Sequence, residues 1–187
     1  MPAVPPFKHW RHELPKYAVE PTNQERILSE DDIIVSKTDL KGRITYANDI
    51  FLKIACYEES EVLGEPHSIV RHPDMPRSVF KLLWDQIESG EEIFAYVKNM
   101  AKNGDYYWVF AHVTPSFDSS GNISGYHSNR RAPRRDAIAA IEPLYRDLVA
   151  EESRHANAKD GLDAACGMLM KALDTKGVPY DEFVFSL

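Results

Sequence analysis

Two prolines, Pro73 and Pro76, tightly restrict the backbone of residues 69–76. Each proline fixes its own φ and disfavours the helical conformation in the residue before it. We therefore expect a stiff, irregular turn, and it carries Arg71, His72 and Asp74. Polar groups held at fixed positions beside a helix are typical of a pocket for a polar, flat ligand. The alternative is a surface turn in which Arg71 and Asp74 only pair with each other.

The residues after this turn have the spacing of a helix. Pro76 is at the expected helix start, where its missing N–H costs no hydrogen bond, and Gly90 marks the end. Apolar side chains recur on one face of this helix, and they are Val79, Phe80, Leu83, Trp84 and Ile87. The polar turn is therefore followed by a helix that places two aromatic rings one turn apart.

Strand patterns precede and follow this region. Five segments are rich in β-branched or alternating apolar residues and predict strands: residues 33–38, 43–47, 93–100, 106–117 and 123–129. Asn103 and Gly104 lie between the third and fourth segments and are a strong hairpin signal. Asn48 is expected to cap a short helix after the second strand. This order of elements predicts an α+β domain of about 100 residues.

The two ends of the sequence extend beyond this domain. Residues 1 to 28 predict a mostly irregular arm that can dock through Phe7, Trp10, Leu14 and Tyr17. From residue 134 onward two amphipathic helices are predicted, and they must either fold back on the sheet or pair with another chain. Pro143 is expected to kink the first helix or to begin a new one. We divide the chain into an arm, a central α+β domain and a helical extension, comprising residues 1–30, 31–133 and 134–187, with an apolar tail from residue 180.

The composition excludes several classes of protein. A net charge of −7 without a long Lys/Arg block disfavours nucleic-acid binding, and no run approaches the roughly 18 apolar residues of a membrane span. Without a signal-peptide pattern, and with Cys56 and Cys166 as unpaired thiols, we expect a cytoplasmic protein. No side-chain spacing indicates catalysis or a metal site, so we expect that the chain is not an enzyme.

The order of elements and several motifs resemble the PAS domain of bacterial aerotaxis (energy-taxis) receptors. The resemblance covers residues 33 to 148, and its motifs are Thr38-Asp39-Leu40, Ile44-Thr45-Tyr46-Ala47-Asn48-Asp49-x-Phe51, Gly64-x-Pro66-His67, Val70-Arg71-His72-Pro73-Asp74-Met75-Pro76, Phe80-x-x-x-Trp84, Val97-Lys98-Asn99-x-x-Lys102-Asn103-Gly104-Asp105-x-Tyr107-Trp108-Val109, Ile123-Ser124-Gly125-Tyr126 and Ala139-Ala140-Ile141-Glu142-Pro143-Leu144-Tyr145. It implies a PAS fold, with a five-stranded antiparallel sheet and short helices on one face. Beyond residue 150 the sequence departs from the receptors, because it shows no membrane span and no long heptad helix.

The resemblance also implies a sensor that holds FAD non-covalently and reports redox state, oxygen or energy status. The positions that match flavin-associated residues of the family are Asn48, Arg71, His72, Asp74, Phe80, Trp84 and Asn99. An Arg at such a site can bond a phosphate or a flavin carbonyl, and Asn side chains can bond the ring edge. Aromatic rings can pack on the flavin, and a His can change its hydrogen bonding as the flavin charge changes.

Two other interpretations remain open at this point. Many PAS domains hold no cofactor and serve as interaction or dimerisation modules. Heme is a further option, with an axial ligand among His67, His72, His112 and His127. In each case we expect a homodimer, a downstream signalling protein, or both, as the partner.

Overall fold

Five strands form one antiparallel sheet in a computed structural model that describes residues 19–187. Their order across the sheet is β2-β1-β5-β4-β3, so that β2 and β3 are the edge strands. The strands are β1 (Ile34–Thr38), β2 (Ile44–Ala47), β3 (Ile93–Met100), β4 (Tyr106–Phe117) and β5 (Ile123–Arg131). The predicted α+β class with a five-stranded antiparallel sheet is confirmed.

The turn between β3 and β4 is formed by the predicted Asn-Gly pair. Gly104 has a φ of +91°, which side chains with a Cβ rarely adopt. A Cβ at this position would also lie 2.4 Å from the carbonyl oxygen of Glu20. Glycine is therefore required both by the turn and by the approach of the N-terminal segment.

Short helices cover one face of the sheet, which we call the inner face. They are α1 (Asp49–Ala55), α2 (Glu59–Val62), a 3-10 helix (His67–Val70) and α3 (Arg77–Glu88). Phe51, Val62 and Val79 from these helices are buried together with Tyr107 and Val109 of β4. Because alternate strand residues face opposite sides, Asn99, which is the one predicted cofactor residue on a strand, lies on the inner face with Tyr107.

Three further helices follow the sheet. They are α4 (Arg135–Ser153), α5 (Ala158–Lys176) and α6 (Tyr180–Ser186), and α6 occupies the predicted apolar tail. That segment is helical because Phe183 and Val184 are buried on one side of it. Pro143 neither ends α4 nor begins a new helix, since the helix is continuous through it.

The C-terminal helices fold back on the domain. The Tyr145 hydroxyl of α4 donates to the Tyr96 carbonyl (2.8 Å), and its ring stacks on Trp108 at the outer face of the sheet. Helix α5 packs against both α4 and α3. We call α4 and α5 the C-terminal hairpin. Of the two arrangements that the sequence allows, it adopts the one that covers its own domain.

The segment before β1 is tied to the start of β4. The Arg26 amide donates to the Tyr106 carbonyl (2.7 Å), and Glu25 forms a two-bond ion pair with Arg135 at the start of α4. The predicted docking aromatics Phe7, Trp10, Leu14 and Tyr17 lie outside the described residues. Within residues 19–187, no helix is both long enough and apolar enough to cross a membrane.

Candidate functional site

A polar cluster is buried on the inner face of the sheet. At its centre is Arg130 of β5, which is only 4% exposed. Its Nη2 donates to the Ser36 hydroxyl and to the His67 Nε2, each at 2.7 Å, and its guanidinium lies over the Phe51 ring. We call Ser36, His67, Tyr107, Ser128 and Arg130 the inner-face cluster.

The charge of Arg130 is not balanced by a carboxylate. No acidic side chain among residues 19–187 forms a salt bridge with it, and burial lowers its pKa to about 10. Burial, and then the neighbouring positive charge of Arg130, lowers the pKa of His67 to about 3, so the imidazole is neutral at pH 7. A buried cation without an anion is costly unless something compensates it.

Three donors of this cluster also lack a partner. Arg130 Nη1, Ser128 Oγ and Tyr107 OH are buried and make no hydrogen bond within the described part of the chain. Buried polar groups in native proteins are almost always paired, so unpaired ones that group together point to a bound ligand or water. A ligand rich in carbonyl or phosphate oxygens, such as a flavin nucleotide, fits this donor set.

A second arginine, Arg71, is partly buried and borders the same face at the edge strand. The backbone of Arg71 pairs with that of Asn99, and Asn99 lies opposite Tyr107 on the inner face. Arg71 Nη2 donates to the Met75 carbonyl (3.1 Å), and the guanidinium lies 4.6 Å from the centre of the Phe80 ring. Burial lowers the pKa of Arg71 to about 10. Of the seven predicted cofactor residues, the structure brings Arg71, Phe80 and Asn99 together.

The other two residues of the proline turn are directed elsewhere. His72 is buried with its ring edge against Tyr106, which precedes Tyr107 and belongs to the outer face. Asp74 pairs with Lys98 Nζ at 2.6 Å. Burial, and then the charge of Lys98, lowers the pKa of His72 to about 4.

The alternative of a surface turn in which Arg71 and Asp74 pair with each other is wrong. Arg71 does not pair with Asp74, because its guanidinium bonds a backbone carbonyl inside the turn while Asp74 faces Lys98 on β3. The turn is stiffened from within by Arg71, and it is attached to the sheet by Asp74.

Asn48 and Trp84 make structural contacts. Asn48 Oδ1 accepts from the amides of Phe51 (3.1 Å) and Val35 (2.9 Å), and its Nδ2 donates to the Ile33 carbonyl (2.8 Å). This confirms the predicted cap and also joins α1 to β1. Trp84 contacts Tyr126 edge-on at 5.3 Å in a separate apolar cluster. A direct role of these residues in cofactor binding stays a prediction.

Sequence reasoning missed most of the inner-face cluster. His67 was predicted only as a possible heme ligand and as part of a family motif, and Arg130 was not among the predicted cofactor residues. The available signal was the alternation in β5, where Ser128 and Arg130 occupy the same face as the buried Ser36 across the β1 pairing.

Two cavities lie at the C-terminal helices. The larger, about 410 Å³, is bordered by Leu82 of α3 and by residues of α5 and α6. The smaller, about 200 Å³, lies between α4, α5 and α6. None of the seven predicted cofactor residues lines either cavity.

Comparison with known proteins identifies the fold. The chain matches the PAS fold family over residues 44–130. A light-oxygen-voltage domain solved in a study of a flavin analogue superposes with a TM-score of 0.52 at 23% identity, over 66% of this chain and 87% of that chain. At this level of identity the structural likeness shows the fold alone.

Two relatives are similar in sequence. The chain is 45% identical to the aerotaxis receptor of Escherichia coli over 129 residues, which make up 69% of this chain and 25% of the receptor. It is 23% identical to the nitrogen fixation regulatory protein of Klebsiella pneumoniae over 105 residues, covering 56% of this chain and 21% of that protein. The chain thus spans about a quarter or less of the length of these relatives. The resemblance seen in the sequence is confirmed: the chain carries a PAS domain, and this domain is of the aerotaxis-receptor type.

Proposed function

We propose that this PAS domain is a signal sensor that binds FAD non-covalently at the inner face and reports redox state, and with it oxygen or energy status, to a partner. The observation that carries the proposal is the uncompensated Arg130 with its unpaired neighbours Ser128 and Tyr107. The aerotaxis receptor and the nitrogen fixation regulatory protein are a receptor and a regulator by name, which supports a signalling role.

The residues divide into direct and indirect roles. Arg130, Ser128 and Tyr107 offer donors to cofactor oxygens, and Arg71 and Asn99 offer polar groups at the edge strand beside the Phe80 ring. Asn48 acts through α1, because it fixes the Phe51 ring below Arg130. His72 and Asp74 fix the turn that carries Arg71, and Trp84 fixes α3. The bound flavin supplies the electron-transfer chemistry, and these residues bind it, orient it and exclude water.

Binding at this face has a structural requirement. Apolar residues of α1, α3 and the sheet are buried against one another, so we expect a bound flavin ring to displace part of this packing by moving these helices away from the sheet. The C-terminal hairpin contacts α3 and is therefore placed to respond to that movement. We propose that the hairpin carries the output to a second copy of the chain or to a downstream signalling protein.

The test is an absorbance spectrum of the purified protein, followed by heat release of any chromophore and its identification by chromatography. Released FAD together with a flavin spectrum is the expected result. A heme Soret band would instead identify the cofactor as a heme, bound near His72 or another histidine. A protein that stays colourless after incubation with FAD would reject the cofactor.

A cofactor-free interaction module is the second candidate. Among residues 19–187, none of the seven predicted cofactor residues lines either cavity, and this favours the interaction module. If this candidate is correct, Arg71→Ala changes only stability, whereas truncation after residue 150 abolishes assembly. Size-exclusion chromatography with light scattering distinguishes the two outcomes.

A further inference from the structure

Glu152 is an unusual residue of the C-terminal hairpin, because its carboxylate is buried. It lies in the last turn of α4 and is only 8% exposed, although its neighbour Glu151 pairs with Arg154 and His155 near the helix surface. Glu152 instead reaches the start of α3. Its Oε1 accepts from the Ser78 amide and its Oε2 from Arg77 Nε, both at 2.9 Å.

This contact replaces a missing helix cap. The N-cap residue of α3 is Pro76, whose side chain cannot accept a hydrogen bond from the first turn. A carboxylate at a helix N-terminus is also favoured by the helix dipole. Helix α3, which carries Phe80, is therefore completed by a residue 74 positions away in sequence.

The position of Glu152 is fixed from the hairpin side as well. A Cβ at Gly161 of α5 would lie 2.4 Å from the Glu152 carbonyl oxygen, so α4 and α5 touch at this point. Close packing of α4 on α5 and the one buried carboxylate among residues 19–187 therefore lie at the same place.

Arg71 acts on the same turn from the cofactor side. It bonds the Met75 carbonyl, two residues before Arg77. Burial lowers the pKa of Arg71 most, the Glu152 carboxylate raises it, and the Arg77 guanidinium lowers it. Both residues therefore bond to the N-terminal end of α3. Arg71 does so from the side of the proposed pocket, and Glu152 from the side of the hairpin.

We infer that Glu152 couples the charge beside Arg71 to the docking of the C-terminal hairpin. A negative group beside Arg71, as FAD supplies with its phosphates, repels the Glu152 carboxylate and weakens the docked state. By linkage, releasing the hairpin strengthens anion binding by the same factor. The inference rests on the proposed function for the identity of the anion, but the contact itself can be tested without FAD.

The first test compares Glu152→Gln with Glu151→Gln by amide hydrogen exchange of α5. Loss of a buried charge-assisted hydrogen bond should speed exchange in α5 about 10-fold or more in Glu152→Gln. Glu151→Gln should match the wild type, because its partners lie beside its own helix end. Equal exchange in both variants would overturn the role of Glu152.

The second test replaces the positive charge of Arg71 with a negative charge or with a neutral side chain. Arg71→Glu should speed α5 exchange more than Arg71→Met, with β4 exchange as the reference for global stability. Equal α5 exchange in the two variants would overturn the coupling. Adding FAD to the wild type should likewise speed α5 exchange, and bound FAD without this effect would also overturn the coupling. If FAD does not bind, the proposed function fails, while the two variant comparisons still decide the coupling.

Discussion

Replacing Arg130 by Met should stabilise the cofactor-free protein while removing cofactor binding. A pKa lowered to about 10 means that burial disfavours the charged guanidinium by about 3 kcal/mol relative to the unfolded chain. Arg130 is charged in both states at all pH values below about 10, so this cost is present at pH 7. It disappears only as the pH rises above the folded-state pKa.

The substitution also removes two hydrogen bonds. Those to Ser36 and His67 contribute about 1 kcal/mol each. The Ser36 hydroxyl already lies 3.2 Å from His67 Nε2, so these two groups can satisfy each other once the arginine is gone. Met fills similar volume, so we expect a net gain of about 1 to 2 kcal/mol in the free energy of unfolding.

Urea unfolding of the cofactor-free protein measures this gain, and a flavin titration measures binding. Arg131→Met is the matched control, since Arg131 is adjacent in β5 but exposed on the other face. It should change stability by less than about 0.5 kcal/mol and retain binding. A loss of stability in Arg130→Met would show that the charge is compensated within the protein. Unchanged flavin affinity would remove Arg130 from the site.

Two other predictions concern residues around the inner face. Asn48→Ala should lower the free energy of unfolding by about 1 to 2 kcal/mol or more, because the cap of α1 and the bonds to β1 are lost together. Urea unfolding measures this loss, with the exposed Asp49→Asn as the control. An unchanged unfolding midpoint in Asn48→Ala would contradict the role of the cap. Because the pKa of His67 is about 3, the unfolded chain binds a proton that the folded protein rejects between pH 6.5 and 3. Stability should therefore fall by roughly 4 kcal/mol over this range, and by much less in His67→Asn; an NMR titration of His67 near its ordinary pKa would refute this.

Local signals in the sequence predicted the elements well. The Asn103-Gly104 turn, the Asn48 cap and the apolar face of α3 depend on neighbours within a few positions, and each is present in the structure. Arg130 could not be assigned to the interior in this way. Its burial depends on the register of β5 against β1, which places it beside Ser36 and sends the adjacent Arg131 outward.

The candidate site was predictable only in part for the same reason. Arg71, His72 and Asp74 are neighbours in sequence, but only His72 and Asp74 stay together, with 3.5 Å between His72 Nδ1 and the Asp74 carboxylate. Arg71 lies beside Asn99, and Asp74 pairs with Lys98. The contact of Glu152 with α3 had no local signal at all, because acidic residues at a helix end are usually solvated.

Pro143 gives α4 a preferred place to bend. Proline has no amide hydrogen, so the carbonyl of Ala139, one turn earlier and exposed, receives no intrahelical hydrogen bond. Bending α4 at this turn therefore breaks one hydrogen bond fewer than bending it elsewhere. Tyr145 and Glu152 both lie after this point, so a bend here moves their contacts with β3 and α3 relative to the buried first half of α4.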